Sequence, residues 1–155
     1  MFDSKYYTHI WDKSKPYNGF LRRQTQFNLT LGFFFHLLSV GGYAGTESDV
    51  WNFAGGVQRF AIVSAVLATV FSLWVMINTA WETAGNFARA TFVSLACILQ
   101  LCYMAAWVGN DADMANETVE ASKWRFGFGW AAVGNFLGAA TVAWFDAVKE
   151  KANKE

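Results

Sequence analysis

The run FGFGWAAVGNFLGAATVAWF at residues 126–145 holds no charged residue. At about 1.5 Å of rise per residue, a helix of that length crosses the roughly 30 Å hydrocarbon core of a bilayer. It reads as a membrane-spanning helix. Within it Gly127, Ala131, Gly134, Gly138 and Thr141 recur at steps of four, three, four and three, which keeps them in one stripe of an α-helix. All five are small. Lipid gives helices no hydrophobic reason to associate, so a groove that admits another backbone supplies dispersion contacts instead. Gly134-x-x-x-Gly138 has that form, and the stripe is assigned as a helix-packing face.

Working outward, the chain has 155 residues, 54% of them hydrophobic and 15% charged. Soluble domains carry about 25% charged residues, and here the few charges gather in blocks. Three more uncharged runs lie between the blocks, at residues 24–46, 60–81 and 90–110. None offers the charged outer face that a helix of a soluble bundle needs. The expectation is an all-α fold, an antiparallel bundle of four transmembrane helices with spans at about 24–45, 58–81, 89–109 and 125–146. That places a transmembrane domain at 24–148, a polar segment at 1–23 before it and a charged tail at 149–155 after it. A net charge of zero leaves no electrostatic footprint for nucleic acid.

Orientation follows from where lysine and arginine stand. Lys5, Lys13, Lys15, Arg22 and Arg23 precede the first span, Arg89 lies between the second and third, and Lys149, Lys151 and Lys154 follow the fourth. The other two connections hold Arg59, Lys123 and Arg125 against Glu47, Asp49, Asp111, Asp113, Glu117 and Glu120. Both termini are therefore predicted to be cytosolic. In residues 1–15, Phe2, Tyr6, Tyr7, Ile10 and Trp11 fall at helical spacing with the lysines off that face. Two readings stand for this segment, a short helix in the interface plane or a tail.

Polar residues inside the apolar runs are Asn28, His36, Gln100 and Asn135. His36, Gln100 and Asn135 come out at similar depth on spans one, three and four. They would either line a small hydrophilic site or bond one another and fix the register of the bundle. The uncharged runs contain no carboxylate, which makes His36 a poor proton relay and favours the second role. In span two Ala61, Ala65, Ala68 and Ser72 repeat the small-residue pattern. Cys97 and Cys102, five residues apart, point too far apart on a helix to bond each other. Asn116-Glu117-Thr118 matches a glycosylation sequon. No metal, haem or other cofactor site is expected, nor catalysis, because no nucleophile, base and orienting group come together.

Phe20-Leu21-Arg22-Arg23-Gln24-Thr25, leading into an aromatic span that ends at Gly42-Tyr43, resembles the opening of MARVEL-domain tetraspan vesicle proteins of the synaptogyrin type. Cys102-Tyr103-Met104-Ala105 with Trp107 is similar to their third-helix ending, and the resemblance covers residues 20–148. The outer-loop cysteines and long Tyr-rich tail of that family are missing here. The resemblance implies a non-enzymatic tetraspan protein that organises or shapes a membrane. Its partners would be the lipid bilayer and copies of itself or other membrane subunits. Two other classes stay open: an accessory subunit of a larger membrane complex, and a small pore or carrier using His36, Gln100 and Asn135.

Overall fold

The computed structural model describes residues 20–46, 56–80, 85–111 and 119–154, and every element among them is helical. The helices are α1 (Phe20–Thr46), α2 (Gly56–Ala80), α3 (Asn86–Asp111) and α4 (Val119–Lys154). The N-terminal aromatic segment and Asn116 lie outside the described residues.

Several helices extend past the expected spans, α1 beginning at Phe20 and α4 at Val119. Residues 86–89, expected in a connection, form the first turn of α3, where the Arg89 amide donates to the Gly85 carbonyl at 3.1 Å. The tail expected from residue 149 is helical through Lys154, so α4 runs 36 residues without a break. At about 1.5 Å per residue it is roughly 54 Å long, well beyond a hydrocarbon core. Nothing in 146–154 stops a helix: there is no Pro or Gly, and Ala147, Lys149, Glu150, Lys151 and Ala152 are all good helix formers.

Three helices are long and apolar enough to cross a membrane, with windows at Phe60–Thr79, Asn86–Ala106 and Phe126–Ala152. The first helix, expected as a fourth, is not among them over its described side chains, because its uncharged run continues into residues 41–46, whose side chains lie outside those described. Its outward face is nonetheless aromatic and aliphatic, with Phe27 62% exposed and Phe34 and Leu37 also at the surface.

Apolar residues cover the outside, and several polar ones are turned inside. Val63, Val66 and Val70 of α2, Phe87, Ile98 and Leu101 of α3, and Leu137, Phe145 and Val148 of α4 are exposed, whereas Ser39, Ser64 and Ser72 are buried. Water would penalise that arrangement and lipid would not. Polar side chains at the surface satisfy themselves on their own helix: Asn78 donates to the Trp74 carbonyl, Thr91 to that of Phe87 and Thr141 to that of Leu137. A group bonded in this way can face hydrocarbon without a stranded donor.

Helix α1 packs mainly on α4, α4 also on α3, and α3 on α2, with a lighter contact between α1 and α2. Alanine dominates the buried faces, including Ala61, Ala65 and Ala68 of α2, Ala90 and Ala96 of α3, and Ala132, Ala139, Ala140 and Ala143 of α4. Small side chains let backbones approach. The closest approaches are at two glycines. A Cβ on Gly32 would meet the Phe136 ring at 2.8 Å and Asn135 Cβ at 3.1 Å. One on Gly129 would run into the Met104 sulfur and sit 3.0 Å from Ser39 Oγ.

Candidate functional site: stacked polar layers in the bundle core

The core is layered. Leu29, Val75, Val93, Cys97, Phe136, Ala139 and Ala140 form one apolar cluster, and Ala61, Ala65, Tyr103, Met104, Ala106 and Val133 form another. Between them lies His36, fully buried, with its ring centroid 6.4 Å from that of Phe136 on one side and 6.3 Å from that of Tyr103 on the other.

All four helices contribute to the network around His36. Gln100 is fully buried, and its Nε2 donates to the Gly129 carbonyl of α4 at 3.2 Å. That turns Oε1 toward His36 Nδ1, 2.6 Å away. A carboxamide oxygen can only accept, so the imidazole carries its hydrogen on Nδ1. The other ring nitrogen, Nε2, is 2.7 Å from Thr69 Oγ1 of α2, and that hydroxyl is also 2.9 Å from the Ala65 carbonyl. One hydroxyl hydrogen thus has two acceptors within reach. Tyr103 and Ser39 hydroxyls, 3.4 Å apart, sit one turn further along α3 and α1.

Of the residues singled out in the sequence, His36 and Gln100 are brought together. Asn135 is not part of their network: it is half-buried and donates to the Ala131 carbonyl of its own helix at 2.8 Å. Asn28 is half-buried against α4, its side chain 3.4 Å from the position of a Cβ on Gly138. Ala61, Ala65, Ala68 and Ser72 are all buried, Ser72 donating to the Ala68 carbonyl at 2.6 Å. The α4 stripe divides. Ala131 and Gly138 are half-buried, Gly138 beside Asn28 of α1, while Gly127, Gly134 and Thr141 face outward, and a Cβ on Gly127 or Gly134 would meet nothing within 4 Å. Both cysteines are free thiols.

A second polar layer was not foreseen. Arg22, Thr25, Thr79, Asn86, Arg89, Ala143 and Asp146 line one small cavity at the end of the bundle where α1 and α3 begin. Arg89 and Asp146 are buried, which corrects the placing of Arg89 in a connection and the expectation that the spans hold no carboxylate. The signal was present in the spacing. Gly129, Ala132, Phe136, Ala139, Ala143 and Asp146 are all buried and follow steps of three and four, so Asp146 continues the inward stripe of α4 past the last apolar residue. Thr69 was overlooked because the eye follows Ala65, Ala68 and Ser72. The Gly129 carbonyl is a backbone group with no sequence signature.

In comparisons with known protein families, curated proteins and solved structures, nothing matches this chain.

The central network invites a direct test. Replacing His36 with Leu removes both ring contacts and strands Gln100 Oε1 in the core, a loss of about 1–3 kcal/mol. Intramembrane hydrogen bonds measure about 0.6 kcal/mol on average and up to about 1.7. A double-mutant cycle of His36→Leu with Gln100→Leu, read by unfolding in mixed micelles, is expected to give a coupling in that interval. Additive losses would mean the 2.6 Å contact contributes no stability of its own.

Proposed function

We propose that this chain is a non-enzymatic membrane protein of four antiparallel spans, both termini cytosolic, that assembles laterally through the outer face of α4. In doing so it organises or shapes the membrane that holds it. Support for the topology comes from the layers. Leu29, His36 and Ser39 follow one another through them as Val93, Gln100 and Tyr103 do, while Val75, Thr69 and Ala65 and then Phe136, Gly129 and Phe126 run the other way in number. The cation-rich segments would then share one side, as lysine and arginine bias requires. The loose resemblance to MARVEL-domain tetraspan vesicle proteins points to the same use.

The observation that carries the reading is the open space over Gly127 and Gly134. Exposed Trp130 and Leu137 flank these glycines, so the face is a shallow apolar groove on a surface already suited to lipid. The inner network argues for a scaffold over a pore, since both His36 nitrogens, the Gln100 amide and the Thr69 hydroxyl have partners. An accessory subunit of a larger complex would use the same groove for an unrelated chain.

Gly127→Leu with Gly134→Leu tests this. The variant is expected to fold with an unchanged unfolding midpoint, because no neighbour within the chain is displaced, and to lose its assembled form on a native gel in mild detergent. Unchanged assembly would refute the proposed face. Co-purification of unrelated subunits in place of self-assembly would select the accessory-subunit reading.

A further inference from the structure

We infer that the cavity at the end of the bundle is a binding site for one water molecule, which joins the buried ends of α2 and α3 within the charged layer. Two atoms point to a ligand. Thr79 Oγ1 and Asn86 Oδ1 are buried without a hydrogen-bond partner, on residues each only 5% exposed, and both residues line the cavity. Thr79 stands apart from six other helical hydroxyls. Thr25, Thr69, Ser72, Ser94, Thr91 and Thr141 each donate to the carbonyl four residues back. The Thr79 hydroxyl forgoes that bond.

Size and chemistry then select the ligand. The cavity holds about 10 Å³, close to the minimum a single water needs, and a buried water is stable when it has two to four polar partners. A water can donate to Asn86 Oδ1 and either donate to or accept from Thr79 Oγ1. It would serve equally if the Asn86 amide were turned over, because water both donates and accepts. Arg22, Arg89 and Asp146 line the same space and supply further polar surface. A monovalent metal ion would also suit oxygen atoms, but two guanidinium groups on so small a cavity oppose a third cation. A lipid phosphate is too large for the volume.

The site stands independently of the assembly proposed for α4. Its test is a structure of the full chain in a lipid nanodisc at a resolution that shows ordered water, alone and as Thr79→Val and Thr79→Ser. The native protein and Thr79→Ser are expected to show one peak within about 3.2 Å of residue 79 Oγ and Asn86 Oδ1. Thr79→Val is expected to lose it. A dry cavity in the native protein would overturn the inference, and so would a peak indifferent to Thr79→Val. Unfolding midpoints in sodium and in choline chloride provide a second readout. Equal values are expected, and a rise specific to sodium would replace the water with a metal ion.

Discussion

Gly129→Leu is expected to abolish the folded bundle, with a loss above about 4 kcal/mol, in the range reached when a well-packed core is overfilled and a hydrogen bond is broken together. Leucine's first carbon already lands on the Met104 sulfur and within 3.0 Å of Ser39 Oγ. The thioether is the flexible end of a side chain, but Met104 is fully buried and shares a cluster with Ala65, Tyr103 and Val133, so it has nowhere to retreat. The helix must move instead, and moving it withdraws the Gly129 carbonyl from Gln100 Nε2. Gln100 is held to His36 and His36 to Thr69, so one displaced backbone group disturbs three other helices. Gly129→Ala carries the first part of the clash only and is expected to cost about 1–3 kcal/mol. Gly134→Leu, five residues along the same helix, serves as the control with no change. Steric-trap unfolding in micelles separates the three. Equal stability of Gly129→Leu and Gly134→Leu would show that the α4 contact with α1 and α3 is misplaced.

That contrast also marks what the amino-acid sequence discloses and what it withholds. Runs without charge are legible because lipid acts on each residue separately, and all four runs are helical. The face of each helix that turns inward is less legible. In α4 both faces are lined with small residues, Gly127, Gly134 and Thr141 on one and Gly129, Ala132, Ala139 and Ala143 on the other. A stripe count cannot rank them, because both satisfy the same steps of three and four. Only the neighbours decide, and they belong to other helices. His36 and Gln100 were recognisable because a polar side chain in an apolar run must have a partner somewhere. Asn135 obeyed the same rule by a different route, bonding its own backbone. Arg89 and Asp146 were hidden by the convention that charge ends a span. Each stands one residue outside its neutral run, where a long helix can still turn it into the bundle.

Asp146→Leu is expected to destabilise the protein by about 3–5 kcal/mol, the loss found when one member of a buried charged group is removed and its opposite charge is left behind. Asp146 is buried, and the cavity it lines also holds Arg22 and the buried Arg89. Among the residues lining that cavity it is the only acid. Without it two guanidinium groups share a small volume at the edge of a hydrocarbon core, and each opposes the other. The size of the loss therefore comes from what remains, and a second change should recover much of it. Asp146→Leu combined with Arg89→Met substitutes apolar side chains for two of the buried charges, which in other proteins is neutral or stabilising. The double variant is expected to regain more than half of the lost stability by chemical unfolding in micelles. Asp146→Asn keeps the shape and removes the charge, so it should fall between wild type and Asp146→Leu. If the double variant were less stable than Asp146→Leu, the two residues would contribute separately and the layer would not act as an electrostatic unit. If it recovers, the end of the bundle is held by the balance of one acid against two bases. The same balance would then explain why α4 continues as a helix past its uncharged run: the turn that carries Asp146 must be formed for Arg89 of α3 to be buried at all.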